Sequence, residues 1–225
     1  MNAWCFGMRS LLSSLLPQPC VHCGLKPIIE LHLCGECVLE ISHSLRSRAQ
    51  TQLLQGCWSL GSYKGPLRSL ICRGKYRPDR GIFVQLGQRL ALASYDLPAF
   101  DVITNVPTSH WRKLRRGFDQ SELLSRIVST ELGAPQQRLL RRLDSTEQAG
   151  RNSHARREGS SLRFSVQQKP PKRVLIVDDQ ITSGATMIGC ATALLVGGAE
   201  TVYAISVACS SRHSAMINKG VSNGS

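Results

Sequence analysis

The chain has 225 residues, enough for one α/β domain and a small additional module, and its apolar content of 42% supports a folded core. No apolar run approaches the length of a membrane span, so no transmembrane segment is predicted. The net charge of +13 and an isoelectric point near 9.8 predict polyanionic partners, which are phosphorylated metabolites, nucleic acid or both. An aromatic content of 5% leaves few side chains for stacking against bases.

Residues 1–19 predict a short amphipathic helix that leads into the first cysteine pair. The alternative is a weak signal peptide. Its apolar stretch, 11–16, is short and interrupted by serines, and no small-residue cleavage site follows it. We therefore expect a cytoplasmic protein.

Two CxxC pairs lie in the segment 20–42, and their cysteines are Cys20, Cys23, Cys34 and Cys37. Paired CxxC sequences in a cytosolic chain indicate a metal site rather than disulfides. Four thiolates suit tetrahedral Zn²⁺ in a structural role, because no position is left open for catalysis. Iron is the alternative ion. His22 and His32 lie nearby as substitute ligands, but with four cysteines available we expect them to be solvated loop residues.

The middle of the chain predicts three helices and a strand. Apolar residues recur at helical spacing in 67–76, 82–94 and 123–132. The run 101–106 is a candidate parallel strand that Pro107 stops. After it comes a polar, basic loop, whose cationic residues are Arg112, Lys113, Arg115 and Arg116.

The most informative stretch is 174–186, VLIVDDQITSGAT. Its four apolar residues predict a buried parallel strand, and Asp178 and Asp179 stand where that strand should end. A hydroxyl-rich turn follows and opens a helix over 187–199. A strand, turn and helix in this order make an anion site, because the first helical N–H groups have no partner and the helix dipole favours negative charge. The alternative is a buried strand followed by an Asp-rich turn.

The remaining segments complete a domain over 55–210. The polar segment 144–161 is predicted to be mobile, and 201–209 is predicted to be a final strand. The tail, 211–225, is polar and is expected to be frayed.

The stretch 174–186 resembles the phosphoribosyl pyrophosphate (PRPP) signature of type I phosphoribosyltransferases. The resemblance implies that Asp178 and Asp179 hold the ribose hydroxyls and that the following loop wraps the 5-phosphate. The implied PRPP-binding residues are Val106, Pro107, Asp178, Asp179, Thr182, Ser183, Gly184, Ala185 and Thr186. Arg116 and Asp179 are the implied catalytic residues, with Arg116 stabilising the charge that develops on departing pyrophosphate. Charge alone would instead predict that the loop carrying Arg116 is a solvated surface loop.

Further motifs run along most of the chain, from about residue 11 to about residue 209. In chain order they are Tyr63-x-Gly65-x-Leu67-Arg68, Lys75-Tyr76, Val106-Pro107, Arg116-Gly117-Phe118-x-Gln120, Arg141-x3-Ser145-x2-Gln148, Arg156 and Phe164. Together with the acidic signature and the four cysteines, they resemble the ComF/GntX family. This resemblance implies a type I phosphoribosyltransferase-like parallel sheet flanked by helices, with an N-terminal zinc finger. Members are linked to natural competence or to the use of external DNA as a nutrient.

The chain departs from the family pattern at four positions. Gln180 stands where valine is usual, and Ser183 where threonine is usual, although serine keeps a hydroxyl. Asp119 replaces an asparagine and puts a negative charge beside a loop meant for anions. Gly159 also stands in place of an asparagine. We expect these departures to affect catalytic turnover more than PRPP binding.

Two functional classes remain open from the sequence. In the first, the protein is a pentosyltransferase that binds PRPP with Mg²⁺ and passes phosphoribose to an unidentified nucleophile. In the second, PRPP or a nucleotide regulates a module that binds single-stranded DNA beside a competence helicase. The absence of a recognisable base-binding hood favours the second class. The nucleic-acid candidates are Arg112, Lys113, Arg115, Arg138, Arg141 and Arg142, of which the last three are expected to act outside the phosphate site.

Overall fold

The computed structural model describes residues 18–26, 28–30, 32–41, 44–47, 52–77, 79–109, 114, 117–143 and 163–210. Its helices are α1 (Gly35–Leu39), α2 (Gly65–Tyr76), α3 (Arg80–Leu92), α4 (Gln120–Leu132) and α5 (Ala185–Val196). Its strands are β1 (Arg46–Ser47), β2 (Gly56–Ser62), β3 (Val102–Asn105), β4 (Leu140–Arg142), β5 (Phe164–Val166), β6 (Arg173–Ile181) and β7 (Thr201–Cys209). The predicted N-terminal helix, the polar segment 144–161, the tail and the cations of the basic loop lie outside the described residues.

Five strands form the main sheet in the order β1-β2-β7-β6-β3. Strand β1 is antiparallel to β2, and every other neighbouring pair is parallel. Parallel neighbours need crossover connections, and helices α2 to α5 lie on these crossovers. The predicted fold class, a parallel sheet flanked by helices with a cysteine module at its N-terminal side, is confirmed.

Strand β6 is buried on both faces, which explains its continuous apolar run. Leu175 and Val177 pack in the core on the side of α2, α3 and α4. Val174 and Ile176 pack in the opposite core, with α5 and the β4–β5 hairpin. All four of these side chains are fully buried.

The cysteine module packs against α2 and α3. Its apolar residues Leu33 and Ile41 share one core with Leu70, Ile71 and Phe83. At the edge of this contact, Glu30 accepts a hydrogen bond from Arg89 at 3.4 Å, and the side chain of Arg89 is only 8% exposed. The module is therefore part of the folded body and rests on the helices that follow β2.

The paired acids lie inside β6 and not at its end, which corrects the sequence-based expectation. Strand β6 continues to pair with β7 as far as Ile181, whereas its pairing with β3 stops at Val177. The chain leaves β3 at Pro107, so β6 loses one neighbour while it keeps the other. The β3 side of β6 is therefore left unpaired at Asp178 and Asp179, at the carboxyl edge where open α/β sheets bind ligands.

Among the described helices, none combines the length and the apolar character that crossing a membrane requires.

Candidate functional site

The four predicted metal ligands come together in one cluster. The Sγ atoms of Cys20, Cys23, Cys34 and Cys37 all lie within 4.8 Å of one another, and those of Cys23 and Cys34 are 3.8 Å apart. Sulfurs bound tetrahedrally at about 2.3 Å from zinc lie about 3.8 Å apart, so the spacing of the cluster suits a structural metal. A tight turn closes the first pair, where Gly24 adopts a φ of 70° and its N–H donates to the carbonyl of Cys20 at 2.9 Å.

The electrostatics of this cluster favour a cation at its centre. Burial opposes ionisation of Cys20, but backbone N–H groups of Cys23, Cys34 and His22 outweigh it and hold the pKa of Cys20 at about 6. Burial raises the pKa of Cys37, and the neighbouring cysteines raise it further. Thiolates are the form that binds metal, so a divalent cation would supply the charge that lets all four ionise together.

Neither nearby histidine belongs to the sulfur cluster. The Nδ1 atom of His22 lies 3.0 Å from Ser69 Oγ on α2. The Nε2 atom of His32 lies 4.0 Å from a carboxylate oxygen of Asp79, the N-cap of α3. Both histidines therefore face the helices that carry the module.

A second site is a cavity of about 350 Å³ at the carboxyl edge of the sheet. It is lined by residues from β6, its following loop and the start of α5, from the segments after β2 and β3, from the start of α4, and from α2 and β4. The lining residues are Tyr63, Lys75, Tyr76, Val106, Pro107, Thr108, Gln120, Ser121, Arg142, Asp178, Asp179, Gln180, Thr182 and Thr186. Six of the predicted PRPP-binding residues are among them, which are Val106, Pro107, Asp178, Asp179, Thr182 and Thr186.

The two acids of the cavity have different surroundings. Asp179 Oδ2 lies 2.6 Å from Lys75 Nζ, and both side chains are mostly buried. Asp178 Oδ1 accepts a hydrogen bond from the backbone N–H of Asp179 at 2.8 Å. Burial and the adjacent charge of Asp179 raise the pKa of Asp178 well above its usual value, although Lys75 partly offsets this. The pair therefore offers hydrogen-bond acceptors that one ammonium group only partly neutralises.

The loop after the acids leads directly into α5. Gly184 occupies the N-cap position with a φ of 74°, a left-handed conformation that suits glycine, and it has no side chain to cap the helix. The Oγ atom of Ser183 accepts a long hydrogen bond of 3.4 Å from the N–H of Ala185. Residues 183–185 thus form the turn itself, while Thr182 and Thr186 line the cavity. The start of this helix can take an anion.

Asp119 has a structural role that the sequence comparison did not predict. It is the N-cap of α4, and its Oδ1 accepts hydrogen bonds from Glu122 N–H at 3.2 Å, Ser121 Oγ at 2.8 Å and Thr108 Oγ1 at 3.1 Å. Its charge is held at the positive end of a helix dipole. The acid therefore ties the segment after β3 to the start of α4.

Replacing Asp119 by asparagine should leave the free energy of unfolding within about 0.5 kcal/mol of wild type, because asparagine and aspartate are comparable N-caps. Asp119→Ala should cost about 1 kcal/mol, since the N–H of Glu122 then loses its acceptor. Denaturant unfolding of the three proteins measures this. A loss for the asparagine variant as large as that for alanine would show that the charge, and not the cap, is what the structure needs.

The nucleic-acid candidates occupy different environments. Arg142 lines the cavity, and its guanidinium carbon lies 5.8 Å from the centroid of the Phe164 ring, so it was not correct to separate it from the phosphate site. The guanidinium of Arg138 is ion-paired with Glu122, and Arg141 neighbours Arg142 on β4. The remaining candidates Arg112, Lys113 and Arg115, and the catalytic candidate Arg116, lie outside the described residues.

Sequence reasoning assigned no role to several residues that line the cavity. Tyr63, Lys75 and Tyr76 carry the family resemblance, but nothing in their local pattern places them beside the acids. Tyr63 directly follows β2, and Lys75 and Tyr76 lie on α2, about a hundred positions earlier in the chain. Gln120 and Ser121 at the start of α4 were missed as site residues for the same reason.

The chain is similar to proteins named for competence and for DNA utilization. It is 30% identical over 202 residues to competence protein F of Haemophilus influenzae, which covers 83% of this chain and 81% of that protein. It is 32% identical over 184 residues to the DNA utilization protein YhgH of Salmonella typhi, which covers 76% and 81% respectively. No protein-family model matches.

A comparison with solved structures finds the glutamine PRPP amidotransferase of B. subtilis complexed with ADP and GMP. That chain is 27% identical with a TM-score of 0.41, over 56% of this chain and 26% of its own length. This chain therefore spans about a quarter of that enzyme.

Proposed function

The chain belongs to the family of competence protein F and the DNA utilization protein YhgH, and from this premise we propose that its cavity binds PRPP together with Mg²⁺. The proposed biological setting is DNA uptake or the use of external DNA as a nutrient, which the names of the relatives, a competence protein and a DNA utilization protein, support. One observation carries the proposal for the site. Two adjacent acids and the open start of α5 border a single cavity.

In this proposal each part of the cavity binds a different part of the ligand. Asp178 and Asp179 accept hydrogen bonds from the ribose hydroxyls, as an acidic residue does in dinucleotide-binding folds. Thr182, Thr186 and the first N–H groups of α5 bind the 5-phosphate. Mg²⁺ would neutralise the diphosphate, and its preference for water and phosphate oxygens requires few protein ligands.

Zinc is the proposed occupant of the four-cysteine cluster. The compactness of the cluster and its four sulfur ligands support a closed, structural site. Reduced thiols of this kind persist in a reducing compartment, which supports a cytoplasmic location as part of the proposal.

A second proposed function is the binding of single-stranded DNA, and a basic groove supports it. The groove, of about 780 Å³, lies between the cysteine module and α2, and Arg68, Arg73 and Arg77 line it. All three arginines are exposed, and none is ion-paired with another residue of the described ranges. Arg112, Lys113, Arg115 and Arg141 remain further candidates for contacts with nucleic acid.

If this groove binds DNA, affinity should fall steeply with salt, with a slope of about 0.7 for each phosphate neutralised on a single strand. Replacing Arg68, Arg73 and Arg77 by glutamine should reduce the slope by about 2. Arg138→Gln is the matched control, because Arg138 is ion-paired with Glu122 and is not among the residues that line the groove. Fluorescence titration of an oligonucleotide at several salt concentrations gives the slopes. An unchanged slope in the triple variant would contradict a DNA site in the groove.

The same titration, repeated with PRPP and Mg²⁺, separates the transferase from the binding module. Pyrophosphate release in a cell extract, without DNA binding at low salt, identifies a transferase. DNA binding without pyrophosphate release identifies a module. If PRPP changes DNA affinity, linkage requires DNA to change PRPP affinity by the same factor.

A further inference from the structure

Lys75 is the cation that faces the paired acids. It lies in the last turn of α2, and its ammonium group contacts two residues of β6, which are Asp179 at 2.6 Å and Gln180 at 3.3 Å. Its side chain is 16% exposed, and that of Asp179 is 12% exposed. These two contacts hold the ammonium of a mostly buried lysine, and with it a positive charge, at this wall of the cavity.

This charge lies where the proposed ligand is most negative. In PRPP the diphosphate is attached to C1, and C1 is bonded to the carbon that carries one of the two ribose hydroxyls. A group that contacts the acid holding those hydroxyls is therefore near the C1 substituent. Ribose 5-phosphate has the same hydroxyls and the same 5-phosphate, but it lacks the diphosphate. Lys75 can therefore distinguish PRPP from ribose 5-phosphate. The loop before α5 cannot, because both compounds carry the 5-phosphate that it is proposed to bind.

We infer that Lys75 is a specificity-determining residue of the cavity, which recognises the anionic substituent on C1 of a ribose phosphate. In the empty cavity its ammonium is held by Asp179 and Gln180. When the ribose hydroxyls bind Asp179, the ammonium turns to the diphosphate. This inference rests on the proposed function, because it assigns a role within the same PRPP site.

Gln180 stabilises the position that Lys75 takes in the empty cavity. Its side-chain oxygen accepts a hydrogen bond from the ammonium, which a valine at this position cannot do. When the ammonium turns to the diphosphate, as proposed, this hydrogen bond is lost. Gln180→Val therefore removes an interaction of the empty state only, and a net hydrogen bond of ordinary strength corresponds to a roughly two- to tenfold gain in affinity.

Calorimetric titration with Mg-PRPP and with ribose 5-phosphate tests this inference on the full chain. Lys75→Met should weaken PRPP binding about tenfold or more and ribose 5-phosphate binding by less than about threefold, as expected for a lost charged contact. Lys75→Arg should keep most of the preference for PRPP, and Gln180→Val should raise PRPP affinity. Lys172→Met is the matched control, because that lysine is also paired with a carboxylate, Glu200 at 2.8 Å, but lies at the opposite edge of the sheet.

The outcomes separate this inference from the proposed function. If wild type binds PRPP but Lys75→Met loses the same factor for both ligands, the lysine is only structural and the inference is overturned while the function stands. If Lys75→Met gains affinity for both ligands, the lysine only blocks the cavity, which also overturns the inference. If wild type binds neither ligand, the proposed function fails and the inference fails with it. If Lys75→Met does not fold, the PRPP affinity of Gln180→Val tests the inference instead. An affinity equal to that of wild type would overturn it.

Discussion

Cys20→Ser is expected to lose stoichiometric metal and to unfold the cysteine module. A module of this size cannot fold on apolar burial alone, so its stability depends on the metal. Zinc binding contributes roughly 10–16 kcal/mol in zinc-finger peptides at neutral pH, which is comparable to the whole net stability of an ordinary domain, about 5–15 kcal/mol. Because Leu33 and Ile41 of the module cover apolar residues of α2 and α3, the loss should also lower solubility.

Metal analysis of protein purified without chelator measures this effect. Wild type should contain about one zinc per chain, and the variant close to none. Cys72→Ser is the control, because Cys72 lies outside the cluster, where its sulfur contacts the hydroxyl of Tyr63 at 3.2 Å. Disulfides among the four cysteines in freshly isolated protein, or full zinc content in Cys20→Ser, would refute the metal site.

Replacing both Asp178 and Asp179 with asparagine should weaken Mg-PRPP binding by roughly one to several kcal/mol, the amount lost when charged hydrogen bonds are removed. The metal content of the cysteine cluster should not change. Calorimetric titration measures the first effect and metal analysis the second. Undiminished PRPP binding in the double variant would contradict the role of the acids.

The single change Asp178→Asn should stabilise the empty protein at neutral pH while it weakens ligand binding. The folded-state pKa of Asp178 lies above its unfolded value because of burial and the charge of Asp179. A carboxyl with a raised pKa favours the folded state at low pH, and this contribution is lost as pH rises through the folded pKa. The gain in the free energy of unfolding should therefore be present at pH 7 and disappear below about pH 4. Stability and function oppose each other at this residue.

The features that could be predicted from the sequence are those determined by residues close together in the chain. The paired CxxC sequences bring their sulfurs together across short turns, and the strand, acids and hydroxyl-rich turn of 174–186 are consecutive. The apolar stretches of α2, α3 and α4 carry their own helical periodicity. In each case a few neighbouring residues determine the geometry, so one sequence is enough.

Strand β2 was missed because it contains glycines that resemble turn residues. In the fold Gly61 lies under α2, where an added Cβ would come within 2.7 Å of Leu67 Cδ1. The glycine is there for close packing of a helix on a central strand, which no local pattern reveals. The β4–β5 hairpin was missed for a related reason, because its three-residue strands are separated by some twenty residues of polar chain.

The composition of the cavity was only partly predictable. The acids and the turn after them form one motif, but Lys75 and Arg142 reach the cavity from other elements. Lys75 lies 105 positions from Gln180, its hydrogen-bond partner. Only the crossover from β2 through α2, and the hairpin on the other face of the sheet, bring these cations to the same edge. Tertiary contacts of this kind leave no periodic signal in the chain.

Calorimetric titration of the wild-type protein with PRPP and Mg²⁺ tests the central proposal most directly. The cavity at the carboxyl edge predicts saturable binding of about one PRPP per chain, which the Asp178→Asn, Asp179→Asn double variant weakens by at least tenfold, the equivalent of about 1.4 kcal/mol. Failure of wild type to bind PRPP, ribose 5-phosphate or any nucleotide at millimolar concentration would contradict it.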